Sequence, residues 1–297
     1  MSGVHRFEHA ELRVEDLDTA TEFYTDVIGL AEIYRNDGTV YLGTGLDENY
    51  DVALREDGTG IAHFAVRVSG TDDLDRYEER LEDAGVDTVR NDGEGEPGQE
   101  SGLRFDLPCG TRMELVTVDD RRYHHSNEAP AGAPGGTAPV DVDHITLVSP
   151  DVEANAQFLA DHLDFTISSV VEGEEGEWEG AFTRHGDYHH DIAFLPNPVE
   201  ELTIHHMAWE VRSIDHMKAF IDRLSQHGTD LELGIGRHYA GDNIFSYFWT
   251  RGGNRIELTA EMATVDPEAE TEYMPFERAL SAWGPIEFSD SFLKDAS

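Results

Sequence analysis

Three residues in the second half of the chain, His144, His206 and Glu257, have the side chains of one kind of metal site. Each lies in a short apolar run, which predicts a position on a buried or half-buried strand. Two histidines and one carboxylate form the facial ligand set of non-heme Fe(II) oxygenases, which leaves positions open for substrate and O₂. A buried glutamate is costly without a partner, and metal ligation or a salt bridge to arginine would satisfy it. Taken together, the three residues are interpreted as metal ligands.

Three further residues lie close to this set in the sequence, namely His190, His238 and Tyr247. Taken singly, a surface strand histidine, a solvated loop histidine and a core tyrosine are the more ordinary interpretations. Nine positions separate His238 from Tyr247 (247 − 238) and ten separate Tyr247 from Glu257 (257 − 247). These spacings favour a functional role because they fit the pattern of the enzyme family that this half of the chain resembles, as described below. His205 directly precedes His206, and side chains alternate along a strand, so only one of this pair is expected to face a metal.

The chain repeats one pattern four times. A histidine followed by alternating apolar residues begins each of the runs His9–Val14, His63–Val68, His144–Ser149 and His206–Val211. Amphipathic helical patterns follow at roughly 16–28, 72–84, 151–163 and 215–227, and short apolar runs follow each of them. This predicts four βαβββ modules. Because one such module cannot close a core alone, two should share one. The expected fold is α+β, with two domains that each form a curved mixed sheet around a cavity.

A Pro/Gly/Ala-rich stretch separates the two halves and is interpreted as a linker. The predicted parts are a structural N-terminal domain (1–128), a linker (129–141), a catalytic metal-binding domain (142–262) and a C-terminal tail over that domain or its active site (263–297). Equal spacing supports the division, since His63 to Glu114 (114 − 63) and His206 to Glu257 (257 − 206) both span 51 positions.

The first half repeats the ligand types, with His9, His63 and Glu114 at equivalent positions. The supporting residues differ: Arg104 stands in place of Tyr247, Gly95 in place of His238 and Tyr50 in place of His190. A glycine offers no side chain that could bind a substrate. We therefore interpret the first half as a degenerate duplicate with a structural role, and whether it binds a second metal is left open.

Composition limits the possible partners and compartments. The chain has 297 residues, 21 basic and 62 acidic, and a net charge of −41. The acidic residues are spread along the chain, which indicates a salt-adapted surface and argues against nucleic-acid binding. A single cysteine, Cys109, excludes an internal disulfide and fits a reducing, cytoplasmic location. No apolar signal segment or membrane-length run occurs, so no membrane association is expected.

The second half resembles the catalytic domain of the type I extradiol ring-cleaving dioxygenases of the vicinal oxygen chelate superfamily, and the whole chain resembles their two-domain form. The segments that carry the resemblance are Asp143–Ile145, His190–Ala193, His205–Met207, Gly236–His238, Asn243–Tyr247 and Gly253–Glu257. Their combined pattern is specific, whereas a lone histidine–glutamate pair would not be.

The resemblance implies roles for the residues named above. It implies that His144, His206 and Glu257 bind Fe(II), or Mn(II), which uses the same ligands. His190 would lie near the O₂ site, and His238 and Tyr247 would hydrogen-bond a bound catechol. The substrates would be a catechol-type aromatic and O₂, with the ring opened beside the diol. A homo-oligomer, tetramer or dimer, is also implied.

Three alternatives remain open from the sequence. They are a glyoxalase-like isomerase that uses Ni or Zn, a keto-acid dioxygenase similar to the hydroxyphenylpyruvate enzymes, and a non-catalytic small-molecule binder similar to bleomycin-resistance proteins. His190, His238 and Tyr247 argue against the isomerase, and a complete ligand set argues against the binder. Arg237 has two interpretations of equal weight, a contact to an acidic ring substituent and a structural ion pair.

Overall fold

The computed structural model describes residues 3–45, 49–93, 95–118, 137–199, 201–285 and 288–297. It divides into two compact units, Met1–Val142 with Thr250–Asn254, and Asp143–Trp249 with Arg255–Ser297. Residues 119–136 lie outside the described residues, and with them most of the predicted linker, 129–141. Strand β9 begins at Asp141, directly at the end of that predicted linker.

The first unit contains two successive βαβββ modules. The first module comprises β1 (Val4–Val14), α1 (Leu17–Glu22), a π-helical continuation (Phe23–Ile28), β2 (Ala31–Asn36), β3 (Thr39–Gly43) and β4 (Val52–Glu56). The second comprises β5 (Gly60–Val68), α2 (Thr71–Asp83), β6 (Val89–Asn91), β7 (Gln99–Asp106) and β8 (Arg112–Val118). Their strands form one sheet in the order β2-β3-β4-β1-β5-β8-β7-β6.

The second unit repeats the same arrangement. Its third module comprises β9 (Asp141–Ser149), α3 (Val152–Leu163), β10 (Thr166–Glu172), β11 (Trp178–Arg184) and β12 (Ile192–Pro196). The fourth comprises β13 (Ile204–Glu210), α4 (Ile214–Gln226), β14 (Leu233–Arg237), β15 (Ile244–Trp249) and β16 (Arg255–Ala260). With β17 (Glu272–Pro275), which follows the fourth module, the sheet order is β14-β15-β16-β13-β9-β12-β11-β10-β17. The predicted α+β fold of paired βαβββ modules is confirmed.

Local sequence explains where the helices begin. Three helices begin at N-cap residues whose side chains accept a hydrogen bond from the backbone N–H three residues later, namely Asp16, Asp151 and Ser213. Gly29 ends the first helical segment in the left-handed conformation, with φ of 94°, which residues other than glycine rarely adopt. None of the helices among the described residues combines the length and apolar character that a membrane span requires.

The histidines do not begin their strands. His9, His144 and His206 lie inside β1, β9 and β13, because strand pairing extends several residues further towards the N-terminus than the apolar alternation indicates. A histidine inside a paired strand has its backbone fixed on both sides. The side chain is therefore held more rigidly than one at a strand end would be.

The residues after the fourth module add to the second unit. They form β17 (Glu272–Pro275), α5 (Phe276–Leu280) and α6 (Asp290–Lys294). Strand β17 pairs in parallel with β10, and the backbone N–H of Ser297 donates to the carbonyl oxygen of Ile204. The C-terminal residues thus pack against β10 at the edge of the sheet and against β13 at its centre.

Candidate active site

The strand order places the predicted site residues side by side. Strands β15, β16, β13 and β9 are consecutive neighbours and carry Tyr247, Glu257, His206 and His144 respectively. Strand β12 follows next, and His190 lies two residues before it. Residues more than a hundred positions apart are therefore brought together because adjacent strands present their side chains to one concave face.

Three buried side chains form the centre of the site. The Oε2 atom of Glu257 lies 3.0 Å from Nε2 of His206 and 3.2 Å from Nε2 of His144, and the two nitrogens are 3.4 Å apart. One donor atom from each residue lies within 4.8 Å of every other. Bonds of about 2.1 Å that meet at right angles place neighbouring ligand atoms about 3.0 Å apart. The observed separations match that spacing.

The other atom of each side chain is held by a neighbour. Nδ1 of His144 donates to the carboxylate of Asp143 at 2.9 Å, and Oε1 of Glu257 accepts from the amide of Asn243 at 3.0 Å. Nδ1 of His206 lies 2.6 Å from Nδ1 of His205. These contacts leave two Nε2 atoms and one carboxylate oxygen converging on one point. Three converging acceptors are stable around a cation, so the residues fit a divalent metal.

Electrostatics keep the central carboxylate charged. Burial alone would raise the pKa of Glu257, but hydrogen bonds and charge from His144 and His206 outweigh it and hold that pKa well below its usual value. Burial lowers the pKa of His206 to about 4. Burial would lower the pKa of His144, but hydrogen bonds and charge from Asp143 and Glu257 outweigh it and raise that pKa to about 10. A metal would displace this proton, because a ligand set needs a charged carboxylate and neutral imidazoles.

His190 lies beside the ligand set without belonging to it. Its ring centroid is 4.3 Å from that of His144, and it is almost fully buried. Nδ1 of His190 contacts Nδ1 of His189 at 3.0 Å, and Nε2 of His189 contacts the hydroxyl of Ser169 at 2.8 Å. Burial, followed by the charge of His144, lowers the pKa of His190 well below its usual value.

His238 and Tyr247 form a hydrogen-bonded pair at the other side of the site. Nδ1 of His238 donates to the carbonyl oxygen of Leu280 at 2.7 Å, because a carbonyl can only accept. Nε2 of His238 then accepts from the hydroxyl of Tyr247 at 2.9 Å. Burial raises the pKa of Tyr247 well above its usual value, so the hydroxyl keeps its proton. The spacing of nine positions thus corresponds to a direct contact.

A cavity opens over these residues. Its lining contains the three central residues together with His190, His238 and Tyr247. The rest is mostly apolar and includes Val171, Phe182, Leu195, Phe276, Leu280 and Phe292. A mostly apolar lining with a few converging polar groups suits a small aromatic ligand. Among the described lining residues none is lysine or arginine, and the charged ones are Glu179 and Glu257.

Arg237 does not line the cavity. Its guanidinium pairs with the carboxylate of Glu261 at 2.6 Å and lies near the carboxylate of Asp242 at 3.6 Å, and its backbone N–H bonds to the carbonyl of Trp283. These contacts favour the structural interpretation of this arginine over contact with an acidic substituent.

The first unit holds a related cluster of different character. Donor atoms of His9, His63, Glu96 and Glu114 lie within 4.8 Å of one another. Arg104, which faces Glu114 across the β7–β8 pair, ion-pairs with both carboxylates. Its guanidinium therefore supplies positive charge among these donors. Glu96 could not be anticipated from the repeat, because it lies beside Gly95 in a loop where the two halves differ.

Sequence reasoning assigned no role to three residues of the site, Asp143, His205 and Asn243. All three fall inside segments that carry the family resemblance, and each orients one of the central side chains. For Asp143 and His205 the available signal was a polar residue directly before a proposed ligand, whereas Asn243 lies 14 positions before Glu257 (257 − 243) and carried no such signal. The role of such a residue depends on which atom of the ligand side chain it hydrogen-bonds, and only the structure shows this.

Comparison with known proteins identifies the superfamily of this chain. The sequence profile of the Glyoxalase/Bleomycin resistance protein/Dioxygenase superfamily matches residues 6–115 and 141–258. The matched segments cover most of the chain and span nearly all of the module pair in each half. The chain belongs to this superfamily.

Within the superfamily, three similar proteins are ring-cleaving dioxygenases by name. The chain is 24% identical to a manganese-dependent 2,3-dihydroxybiphenyl 1,2-dioxygenase from Geobacillus genomosp. 3, over 98% of this chain and 92% of that protein. It is 28% identical to a metapyrocatechase from Pseudomonas sp. (strain CF600), over 86% of each. The crystal structure of the 2,3-dioxygenase LapB from Pseudomonas sp. KL28 superimposes with a TM-score of 0.86 at 27% identity, covering 93% of this chain and 99% of that one. The resemblance to extradiol dioxygenases inferred from the sequence is confirmed.

Proposed function

We propose that this protein is an extradiol, meta-cleaving dioxygenase that opens a catechol-type aromatic ring with O₂ at a non-heme Fe(II) centre held by His144, His206 and Glu257. The observation that carries the proposal is the convergence of two Nε2 atoms and one carboxylate oxygen on the wall of an apolar cavity. One relative is named as manganese-dependent. Mn(II) is therefore the alternative metal, since it accepts the same ligands.

A bound divalent metal supplies Lewis acidity and a path for electron density between catechol and O₂. The chain's own residues do the positioning. The apolar walls exclude water and hold the ring flat within the cavity, so that its diol faces the converging donor atoms. Asn243 and Asp143 keep Glu257 and His144 in fixed orientations, so that little reorganisation is needed during the reaction.

His190 is proposed to hold and return a proton beside the O₂-binding side of the site. It lies against His144 and is buried away from bulk water, while His189 restrains its ring through Nδ1. A neutral imidazole in this position can accept a proton and give it back later in the cycle. Its charged form would stabilise negative charge that develops on reduced oxygen.

His238 and Tyr247 are proposed to hydrogen-bond a catechol oxygen. Tyr247 faces Glu257 directly across the β15–β16 pair, so its hydroxyl lies next to the ligand set. His238 is fixed through the carbonyl of Leu280 and accepts the tyrosine proton. With its proton directed at His238, the Tyr247 oxygen keeps a lone pair that can accept from a ring hydroxyl, and this favours rings that carry one.

The parts of the chain are proposed to have different roles. Residues 1–128 form a structural domain, in which Arg104 takes the place of a metal between the two carboxylates that it pairs with. Residues 142–262 form the catalytic domain after the linker at 129–141. The tail, 263–297, covers the active site, and the contribution of Phe276, Leu280 and Phe292 to the cavity wall supports this role.

Surface charge and composition support two further proposals. A net charge of −41 is proposed to reflect adaptation to a salt-rich cytoplasm, where ions screen repulsion between like charges over a Debye length of about 3 Å at 1 M. The single cysteine is consistent with a reducing compartment. A homo-oligomer, tetramer or dimer, is proposed by analogy with the family, and its assembly should depend on salt concentration.

The test of the function is O₂ uptake by the anaerobically Fe(II)-loaded protein in molar salt with catechol, followed together with absorbance in the near-ultraviolet and visible range. We expect O₂ consumption and a yellow muconic semialdehyde-type product. Metal bound without O₂ uptake on any catechol would favour the glyoxalase-like isomerase. A protein that binds no metal would favour the small-molecule-binding alternative.

Replacement of His190 by phenylalanine is expected to slow turnover by about 10²- to 10⁴-fold, because a positioned proton carrier is lost from the site. The metal should be retained in full, since His190 is not one of the three converging donors. Metal content and single-turnover rate, measured on the same preparation, check both parts. Loss of metal in this variant would mean that His190 belongs to the ligand set.

A further inference from the structure

His205 lies directly behind the proposed ligand His206 and is almost fully buried. Its Nδ1 atom is 2.6 Å from Nδ1 of His206, and its Nε2 atom is 2.8 Å from the backbone carbonyl oxygen of Phe292. The two imidazole rings meet edge to face, with centroids 4.9 Å apart. His205 therefore connects a central residue of the site to the C-terminal tail.

The partners fix the positions of the protons. A carbonyl oxygen can only accept, so the proton of a neutral His205 lies on Nε2 and its Nδ1 is an acceptor. At 2.6 Å, two facing nitrogens require one proton between them, and His206 must supply it from its own Nδ1. The lone pair of His206 is then on Nε2, the atom that faces Glu257. One backbone carbonyl thus determines, through two rings, which nitrogen of His206 can bind a cation.

Further contacts hold the tail residue Phe292 in place behind His205. Arg255, almost fully buried, donates to the backbone carbonyls of both His205 and Asp295, at 3.4 and 2.7 Å. The backbone N–H groups of Ser297 and Ile204 each donate to the carbonyl oxygen of the other at 2.9 Å. Strand β13, which carries His205 and His206, is therefore connected to the tail both through Arg255 and through direct backbone hydrogen bonds.

A second histidine pair in the same cavity provides a comparison. His189 contacts His190 through Nδ1 at 3.0 Å and Ser169 through Nε2 at 2.8 Å. A serine hydroxyl can donate or accept, so this pair does not impose one tautomer. His190 is also not one of the converging donors. The two pairs share their chemistry and burial, but only the His205 pair contains a proposed ligand.

We propose that His205 is a positioning residue which, anchored on the Phe292 carbonyl of the tail, fixes the tautomer and ring orientation of His206 for metal binding. The proposal rests on the proposed metal role of His206. It assigns the tail a role in metal retention that is independent of any contact with substrate. Residues that orient a ligand from behind commonly change metal affinity by about 10- to 100-fold.

The experiment measures Fe(II) release from the anaerobically loaded full chain to an excess of a chromogenic chelator. His205→Leu should release iron about 10- to 100-fold faster than the unmodified protein. His205→Gln should stay within about threefold of it, because the amide can donate to Phe292 and accept from His206. His189→Leu is the matched control, with release expected at the unmodified rate. Thermal melting of each variant establishes that the fold is kept.

Two outcomes overturn the proposal. One is iron release from His205→Leu at the unmodified rate, and the other is equally fast release from His205→Gln, which would assign the effect to packing. His206→Ala in the same assay separates this from the proposed function. If His206→Ala keeps its iron, the proposed metal site is wrong, whereas if it loses iron while His205→Leu keeps it, only the positioning role fails.

Discussion

Replacement of Glu257 by alanine is expected to abolish metal binding and ring cleavage together. Glu257 supplies the only negative charge among the three converging donors, and both histidines contact the same oxygen of its carboxylate. Two neutral imidazoles alone hold a hard divalent cation poorly. Activity should fall by at least about 10³-fold, which corresponds to roughly 4 kcal/mol of lost transition-state stabilisation. Metal analysis after gel filtration and O₂ uptake with catechol measure the two effects.

The first half of the chain provides a matched control. Glu114 has the equivalent position in the repeat and is also buried, but Arg104 pairs with it. We expect one metal per chain in the unmodified protein and in Glu114→Ala, and none in Glu257→Ala. Full activity with bound metal in Glu257→Ala would refute the assignment of the ligands. Two metals in the unmodified protein and one in Glu114→Ala would show that the first half binds a cation.

The second large effect concerns the charge of the substrate. We expect catechol and alkylcatechols to be cleaved with kcat/KM on the order of 10² higher than catechols that carry a carboxylate. A ring carboxylate would have to enter a cavity whose described lining has no lysine or arginine and does contain Glu179. Burial of an unpaired charge costs several kcal/mol, and a like charge adds to that cost.

A neutral derivative of the same acid separates charge from size. The methyl ester of 3,4-dihydroxyphenylacetate should be cleaved far better than the free acid, and Glu179→Gln should narrow the difference. Steady-state kinetics with both compounds at fixed salt and pH check this. Equal kcat/KM for acid and ester would contradict the prediction, and would indicate that a cation outside the described lining reaches the substituent.

The central residues were predictable because the repeat fixes their relation to one another. Ten positions separate Arg104 from Glu114 (114 − 104) and Tyr247 from Glu257 (257 − 247), and both pairs face each other directly across antiparallel strands. Because the spacing within the hairpin is the same in both halves, the two strands pair in the same register. The residue pair in one half therefore predicts the corresponding pair in the other. The fold could be predicted for the same reason, since four copies of one pattern constrain it more than any single copy does.

The roles of His205 and Glu96 could not be predicted, because they depend on contacts outside the repeat. His205 looked like a residue on the opposite face of its strand, and only the Phe292 carbonyl in the tail reveals what it does. Glu96 comes from a loop that differs between the halves. Sequence periodicity carries no information about such contacts, since they join a regular element to an irregular one.

The link between His205 and the tail also has a consequence for biosynthesis. All three proposed ligands leave the ribosome before Phe292, which follows Glu257 by 35 residues (292 − 257). At about 5–20 residues per second, about 2–7 seconds separate the synthesis of Glu257 from that of Phe292. A divalent metal captured in that interval would be weakly held, because the proposed tautomer of His206 would not yet be set. The order of synthesis would therefore delay secure loading of the metal until the segment that contains Phe292 has packed against β13.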